Sequence, residues 1–330
     1  MGWMTRAIDA GKDYRNALDE VAEGLFVDIG DTRAKRSQFW MLLVLSAVIA
    51  AGGVVGDATP AVIGAMIVAP LATPIYGVAL ATVIGSPARL RAAMTLLVSG
   101  IAVNIGIGVI AGLLLTQRLP LDANPQITGR TAPSMLDLYV AVATGIAGSF
   151  ALTRRDVSNI LAGVAIAISL VPVLAVVGIT VGAGRFDLAW GALLLFLTNV
   201  AAILIAGALV FGAAGYAREA AERDPRIARR AQVFITVFVV AILVPLGAAS
   251  LRTGRYDGWV SSTTTAADQW VRGTDWTLDS VRVSGDDIVI TVLGADESPP
   301  IEELKAAVRR EVPESVPVVL VQESGTTTQL

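Results

Sequence analysis

The sequence predicts an all-α polytopic membrane bundle of about seven transmembrane helices, read as an inverted 3+3 repeat plus one, with a small C-terminal α+β domain. Three observations lead there. Hydrophobic residues make up 54% of the chain and charged residues only 16%, at a mean hydropathy of +0.67, whereas a soluble domain carries about 25% charged residues. Apolar stretches of roughly 20 residues, long enough to span a bilayer, recur along the chain, and the loops between them are alternately basic and nearly uncharged. Beyond residue 250 the pattern changes to that of a soluble domain.

Residues 1–38 precede the first apolar segment and carry no short apolar core with a small-residue cleavage site, so the first spanning helix is expected to act as its own insertion signal. Within them TRAIDAGKDYRNALDEVAEGLF (residues 5–26) places Ile8, Leu18, Val21, Leu25 and Phe26 at loosely helical spacing. Two readings are open: an amphipathic helix against the membrane or a neighbouring subunit, or a short cytosolic helix without a partner.

Seven apolar segments follow at about 39–56, 60–85, 92–115, 134–152, 156–181, 187–212 and 231–250, and together residues 39–250 form the membrane domain. Arg33, Lys35 and Arg36 precede the first. Arg89 and Arg91 follow the second, Arg154 and Arg155 the fourth, and Arg218, Arg223, Arg226, Arg229 and Arg230 the sixth. The alternate loops hold only Arg118, Arg130 and Arg185. Because basic residues accumulate on the cytoplasmic side, the N-terminus is expected in the cytosol and the C-terminus outside, in a bacterial cytoplasmic (inner) membrane.

Residues 251–330 read as that outer domain. A polar stretch compatible with helix precedes LDSVRVSG and DDIVITVLG, which alternate with period two. PPIEELKAAVRREV then opens a helix on prolines with Glu302 and Glu303 in its first turn, and PVVLVQES closes as a strand. The resulting order is α-β-β-α-β. It resembles small bacterial domains that bind phospholipid surfaces; a packing or oligomerisation unit is the other reading.

Inside the membrane domain the second segment reads GAMIVAPLATPIYGVAL and the fifth GVAIAISLVPVLAVVGI, with Pro70 and Pro74 in one and Pro172 in the other. The next segments each hold one amide among aliphatic residues, Asn104 and Asn199. Units of about 39–115 and 134–212 therefore echo each other, and three crossings per unit invert the second copy. The competing account is that membrane helices are rich in Gly and Pro and align passably by chance.

Proline lacks an N–H and clashes with the preceding turn, so Pro70 and Pro74 are expected to break the second span and to free carbonyls around Met66 and Pro70. Unpartnered backbone is tolerated in hydrocarbon only against protein or a watered cavity, which turns the break inward. Two half-helix ends meeting there would offer places for a cation and an anion without charged side chains. Thr73, Tyr76 and Ser169 could add hydroxyls, and Asn104 and Asn199 could line the site or serve as structural glue between helices. A plain kink that shapes packing is the alternative. Asp57, Asp137, Asp156 and Asp187 all fall at helix ends, which disfavours a proton relay.

The runs AVIAAGGVVGDATPAVIGAMIVAPLATPIYGVALA, GVAIAISLVPVLAVVGI and LLFLTNVAAILIAGALVF resemble the bacterial and archaeal hydrophobic membrane proteins of the domain of unknown function 389 family, over about residues 25–212. GAMIVAPL is the most specific block. The family's fifth segment commonly carries adjacent prolines, whereas here Pro172 is followed by Val173. The resemblance implies an integral membrane protein and no particular chemistry.

With no histidine or cysteine, and with no nucleophile paired to a base and no phosphate-binding loop, no enzyme, metal or cofactor is expected. Topology accounts for the basic residues, so no nucleic-acid partner is expected either. The leading expectation is a transporter or channel for a small solute or ion, its path lined by Pro70, Thr73, Pro74, Tyr76, Asn104, Ser169, Pro172 and Asn199, in contact with membrane lipid and assembled as a homo-oligomer. The alternative is a non-transporting scaffold or sensor whose outer domain binds a partner or lipid.

Overall fold

A computed structural model describes residues 14–115, 121–131, 133, 135–157, 170–223, 258–284, 287–294 and 300–324. The chain divides into two compact units, Met1–Leu246 and Gly247–Leu330.

The described part of the first unit is helical: α1 (Leu18–Leu25), α2 (Thr32–Val55), α3 (Thr59–Val68), α4 (Ala72–Val83), α5 (Pro87–Leu115), a 3-10 turn (Leu121–Ala123), α6 (Pro125–Thr131), α7 (Met135–Leu152), α8 (Leu170–Gly182), α9 (Phe186–Ala213) and α10 (Tyr216–Arg223). Among the described residues α2, α5 and α9 are each long and apolar enough to cross a membrane. The number rises to five if the bent pairs α3 with α4 and α6 with α7 each count as one span. This is the fold of a helical membrane protein. Its outward surface agrees, with Met41, Val48, Leu113, Leu114, Leu136 and Val140 all exposed, as lipid-facing positions should be. The segment expected at 231–250 and the first part of that at 156–181 lie outside the described residues.

Local sequence explains the ends of these helices. Asp31 caps α2 by accepting the Ala34 N–H at 3.0 Å. The α2–α3 turn holds Asp57 at φ 47°, a left-handed conformation that an Asp tolerates better than most residues. Pro60 and Pro87 occupy first turns, where a missing N–H removes no helical bond.

Contacts define two ends of the bundle. At one end Asn16 donates to Leu152 O at 2.9 Å, Tyr216 donates to Asn16 O at 2.9 Å, and Arg15 pairs with Glu219 at 2.9 Å. Arg155 pairs with Glu20, and the Arg89 guanidinium lies 5.1 Å from the Phe26 ring centre. At the other end Asn124 donates to Val54 O at 2.8 Å, Gln126 to Thr59 Oγ1 at 2.9 Å, and Arg185 reaches both Asp122 and Asp187 at 2.8 Å. The paired carboxylates hold the Arg185 guanidinium above its ordinary pKa, with Asp187 the larger cause. The loops that the sequence separates as rich and poor in basic residues thus gather at opposite ends.

Two features of these ends differ from the sequence expectation. The helix expected over 5–26 is formed over Leu18–Leu25, and it buries Leu18, Val21, Ala22 and Leu25 against α4 of its own bundle rather than against lipid or a neighbouring subunit. An amphipathic stripe specifies that an apolar face will be covered, not by what. Residues 1–13 lie outside the description. The interval between the third and fourth segments, expected as a loop, contains α6, which meets α7 at 87° and packs on α9, α8 and α2.

The second unit holds a helix over 258–271, β1 (Thr277–Ser284), β2 (Asp287–Gly294), α11 (Ile301–Val308) and β3 (Val318–Ser324). The sheet order is β1-β2-β3, with β1 antiparallel and β3 parallel to β2. Ile288, Ile290 and Val292 alternate inward from the central strand and pack with Ala267, Val271, Leu304 and Val308. This is the half-buried alternation that period-two patterning implies.

Candidate functional site

The second span is broken where its prolines fall. α3 ends at Val68, Ala69 is extended (φ −66°, ψ 125°), and α4 starts at Ala72 with its axis turned by 43°. None of the Met66, Ile67 and Val68 carbonyls accepts a backbone N–H from beyond the break; Thr73 N–H goes instead to Pro70 O at 3.2 Å. The carbonyl expected to be free at Pro70 is therefore partnered, because Thr73 closes a local turn three residues on, while that at Met66 is freed as Pro70 dictates.

α4 and α8 form the centre. Every residue from Pro74 to Val83 and from Leu170 to Thr180 is buried, the pattern of helices that are apolar on all sides and surrounded by others. Pro74 is the third residue of α4 and Pro172 the third described residue of α8. The position of Pro74 lies in a first turn, where a lost N–H group breaks no internal bond. α8 crosses α5 at very close range: a Cβ added at Gly108 would sit 2.7 Å from Ala175 O, and one at Gly112, Gly178 or Gly182 would also fall closer to backbone than real Cβ atoms come. These glycines, four residues apart on each helix, are a small-xxx-small crossing. The spacing was visible in GIGVIAG and GITVG, yet nothing in it named the partner.

Asn104 lies on the α5 face between two such contacts. One turn before it, a Cβ at Gly100 would sit 3.1 Å from Leu71 Cδ2 at the break and 3.4 Å from Leu43 Cδ2 of α2; one turn after it, Gly108 touches α8. The Asn104 side chain is fully buried, and neither Oδ1 nor Nδ2 has a hydrogen-bond partner among the described residues. Leaving such a group unpaired costs about 1–3 kcal/mol. Leu43 and Gly100 stand near the middle of their helices, so Asn104, about 6 Å further along α5, is close to mid-depth.

Asn199, the fourteenth of 28 residues in α9, is also near mid-depth, and its Oδ1 is buried and unpartnered. It shares a face with Ile203, which touches Gly145 of α7, and Gly207, which touches Tyr76 of α4. Tyr76 points to this side. Its hydroxyl lies 3.5 Å from both Thr144 O and Gly145 O, the outer limit of a hydrogen bond, and its ring stacks edge-on with Phe211 at 6.4 Å. The expected site residues are thus not one cluster. Pro70 and Asn104 belong to the junction of α5 with α2, α8 and the break, Pro172 is buried within α8, and Tyr76 and Asn199 belong to the junction of α9 with α7 and α4. Thr73 is half-buried at the start of α4, with Pro74 next to it; Ser169 lies outside the described residues.

A bent pair of apolar helices, two buried apolar helical segments and buried amides without partners among the described residues mark the class: a helical membrane protein with polar groups in its interior. Residues 66–205 match the family described as Domain of unknown function (DUF389), over the stretch that includes most of GAMIVAPL. An uncharacterized protein of the archaeon Methanocaldococcus jannaschii is 36% identical over 196 residues, which cover 59% of this chain and 60% of the archaeal protein. No solved structure matches the chain.

Proposed function

We propose that the membrane unit is a transporter or channel for a small solute or ion, with its site at mid-depth beside the Pro70 break. The observation that carries this reading is Asn104: a fully buried amide with neither polar atom partnered among the described residues, one turn from Gly100, which packs on Leu71 of the break. A purely structural asparagine would bond a neighbouring helix. An amide that receives a passing solute has to be left without a protein partner.

The order of elements supports an inverted repeat as the frame. α2, α3–α4 and α5 run alternately away from, toward and away from the basic end, and α7, the chain through α8, and α9 run the opposite way. Each unit's third helix packs on the other's central helix, α5 on α8 and α9 on α4. In transporters built this way substrate sites lie where discontinuous helices of the two halves meet. Seven crossings, a cytosolic basic end, a bacterial cytoplasmic membrane and an extracytoplasmic C-terminal domain complete the reading, following the positive-inside rule. Outward-facing Gly52 and Gly64, with nothing within 4 Å of a Cβ position, leave room for a second copy and suit a homo-oligomer.

The test is solute and ion flux into liposomes holding the full chain, wild type against Asn104→Leu. Flux in the wild type that falls at least about tenfold in the variant, with both eluting as folded protein, supports the reading. Folded wild-type protein that moves nothing across a broad panel of ions and small neutral solutes overturns it and favours the scaffold reading.

A further inference from the structure

Resting on that reading, we infer that residues 14–26 are the closure of the bundle's basic end: a strap that stays with the first half, α2–α5, and parts from the second, α7–α9, when the interior opens to that side. The strap belongs to neither half and is fastened to both, by contacts of different kinds. Its later part is anchored by apolar burial. Leu18, Val21, Ala22 and Leu25 are covered, a Cβ on Gly77 of α4 would sit 3.4 Å from Leu25 O and 3.8 Å from Phe26 Cε1, and the Phe26 ring lies against Arg89, which opens α5. Residues 14–16 are held by polar bonds, all to the second half and to α10 behind it. Asn16 N–H donates to Thr153 O and Arg155 N–H to Tyr14 O, each at 2.9 Å, around the bridge that sets Arg15 opposite Arg154. Asn16 Nδ2 donates to Leu152 O, the Tyr216 hydroxyl donates to Asn16 O, and Arg15 pairs with Glu219.

The two attachments differ in what their release costs. A cleft of about 340 Å³, with Val21, Gly24, Ala151 and Leu152 among its walls, lies between α1 and the end of α7, so little packed apolar area is exposed when these two separate. Polar groups that leave the second half exchange their bonds for water at a small net cost, and the pair of Arg155 with Glu20 is solvent-exposed, where ion pairs contribute little. Lifting the strap off α4 would instead expose its apolar face. At the opposite end the ties come from the connection between the halves itself, Asp122 to Arg185 and Asn124 to Val54 O. In carriers whose two repeats rock against each other around a central site, a segment fastened to both repeats at one end has to yield on its weaker side.

The chain contains no cysteine, so one introduced thiol reports its own position. Thr153 and Ala22 are each 1% exposed, the first at the releasing attachment and the second at the anchored one. The experiment follows the reaction of Thr153→Cys and of Ala22→Cys with N-ethylmaleimide, in the full chain in liposomes, with and without the added pair Arg15→Ala and Asn16→Ala. We expect the weakened strap to speed labelling of the Thr153→Cys thiol at least about tenfold, since local opening limits the reaction, and to leave the Ala22→Cys thiol unchanged. Acceleration of both thiols alike, or of neither, overturns the inference. A second variant tests turnover. Arg15 and Arg154 face each other as a non-hydrogen-bonded antiparallel pair, whose Cα atoms lie about 4.5 Å apart, within reach of a disulfide. The oxidised double variant Arg15→Cys, Arg154→Cys should carry at least about tenfold less flux than the same protein after reduction, as expected where opening gates turnover. Equal flux in the two forms overturns the strap and leaves the transport reading standing. Labelling as expected in a protein that moves nothing across the panel refutes transport and leaves the strap standing.

Discussion

Four described asparagines in the membrane unit fall into two pairs that the chain treats in opposite ways. At the ends, Asn16 and Asn124 are fully employed. Asn16 bridges α1 to the end of α7 through Leu152 O, and Asn124 both donates to Val54 O and accepts the Gln126 N–H at 2.8 Å. At mid-depth, Asn104 and Asn199 keep buried polar atoms without a partner among the described residues. The packing that satisfies the first pair was equally open to the second: Ser46, one turn past Leu43 on α2 and so near the depth of Asn104, bonds its own helix at Leu43 O, 2.9 Å away. The difference teaches that the bundle satisfies its amides at the ends and leaves those at the centre without a described partner, a cost that calls for an explanation, which the proposed site would supply.

The most severe way to break this comparison is to remove the enclosure around Asn104. Gly178→Val puts a branched side chain where even a Cβ meets α5 backbone, and backbone cannot yield as a side-chain tip can. Overpacking of this kind costs at least about 1–3 kcal/mol, so we expect loss of monodisperse protein on size-exclusion chromatography. Gly212→Val on α9, where nothing lies within 4 Å, should elute as wild type. Equal behaviour of the two would mean that α5 and α8 do not meet as described.

The end and centre asparagines should then respond with opposite sign. Asn124→Leu leaves Val54 O and the Gln126 N–H without their partner in a buried corner, and unfolding should become easier by about 2 kcal/mol. Asn104→Leu exchanges an amide without a described partner for an apolar side chain of similar size, and its stability should equal the wild type's or exceed it by about 1 kcal/mol. Thermal or denaturant unfolding of the two variants side by side reads the sign directly; a marked loss in Asn104→Leu would show that the amide has a structural partner after all.

How far this contrast could be read from the sequence depends on the kind of information each part needs. The positions of the described apolar helices, the break and the grouping of basic loops follow from local hydropathy, from the missing N–H of Pro70 and from charge, so these were legible. Rotation of one helix about its axis relative to the next is a property of packing. Hence Tyr76 and Asn104, both read as lining one path, turn toward different junctions, and the glycines of α5 and α8 could be recognised as small but not paired. α6 escaped because seven residues, PQITGRT, carry too little periodicity to stand out from a loop, and its role comes from the bonds that Asn124 and Gln126 make to α2 and α3.

The smallest effect belongs to the exposed polar contacts of the basic end, and it sharpens the comparison through pH. Glu20 accepts from Arg155 and from the Ala17 N–H at 3.0 Å, and these bonds, that of Arg155 first, hold its carboxyl below the ordinary carboxylate value. A carboxyl depressed in the folded state contributes stability that is complete above its unfolded value and is lost as pH falls through the folded one. The window therefore opens below about pH 4. Glu20 and Arg155 are both solvent-exposed, and exposed pairs contribute little. We expect Glu20→Gln to lower the melting midpoint slightly at pH 7 and to match the wild type in acid. Asn104→Leu removes a group that does not titrate, so its effect should be constant over the same range. An acid-dependent Asn104 effect would place a titrating group beside the amide and take away the charge-free character of the bundle's centre.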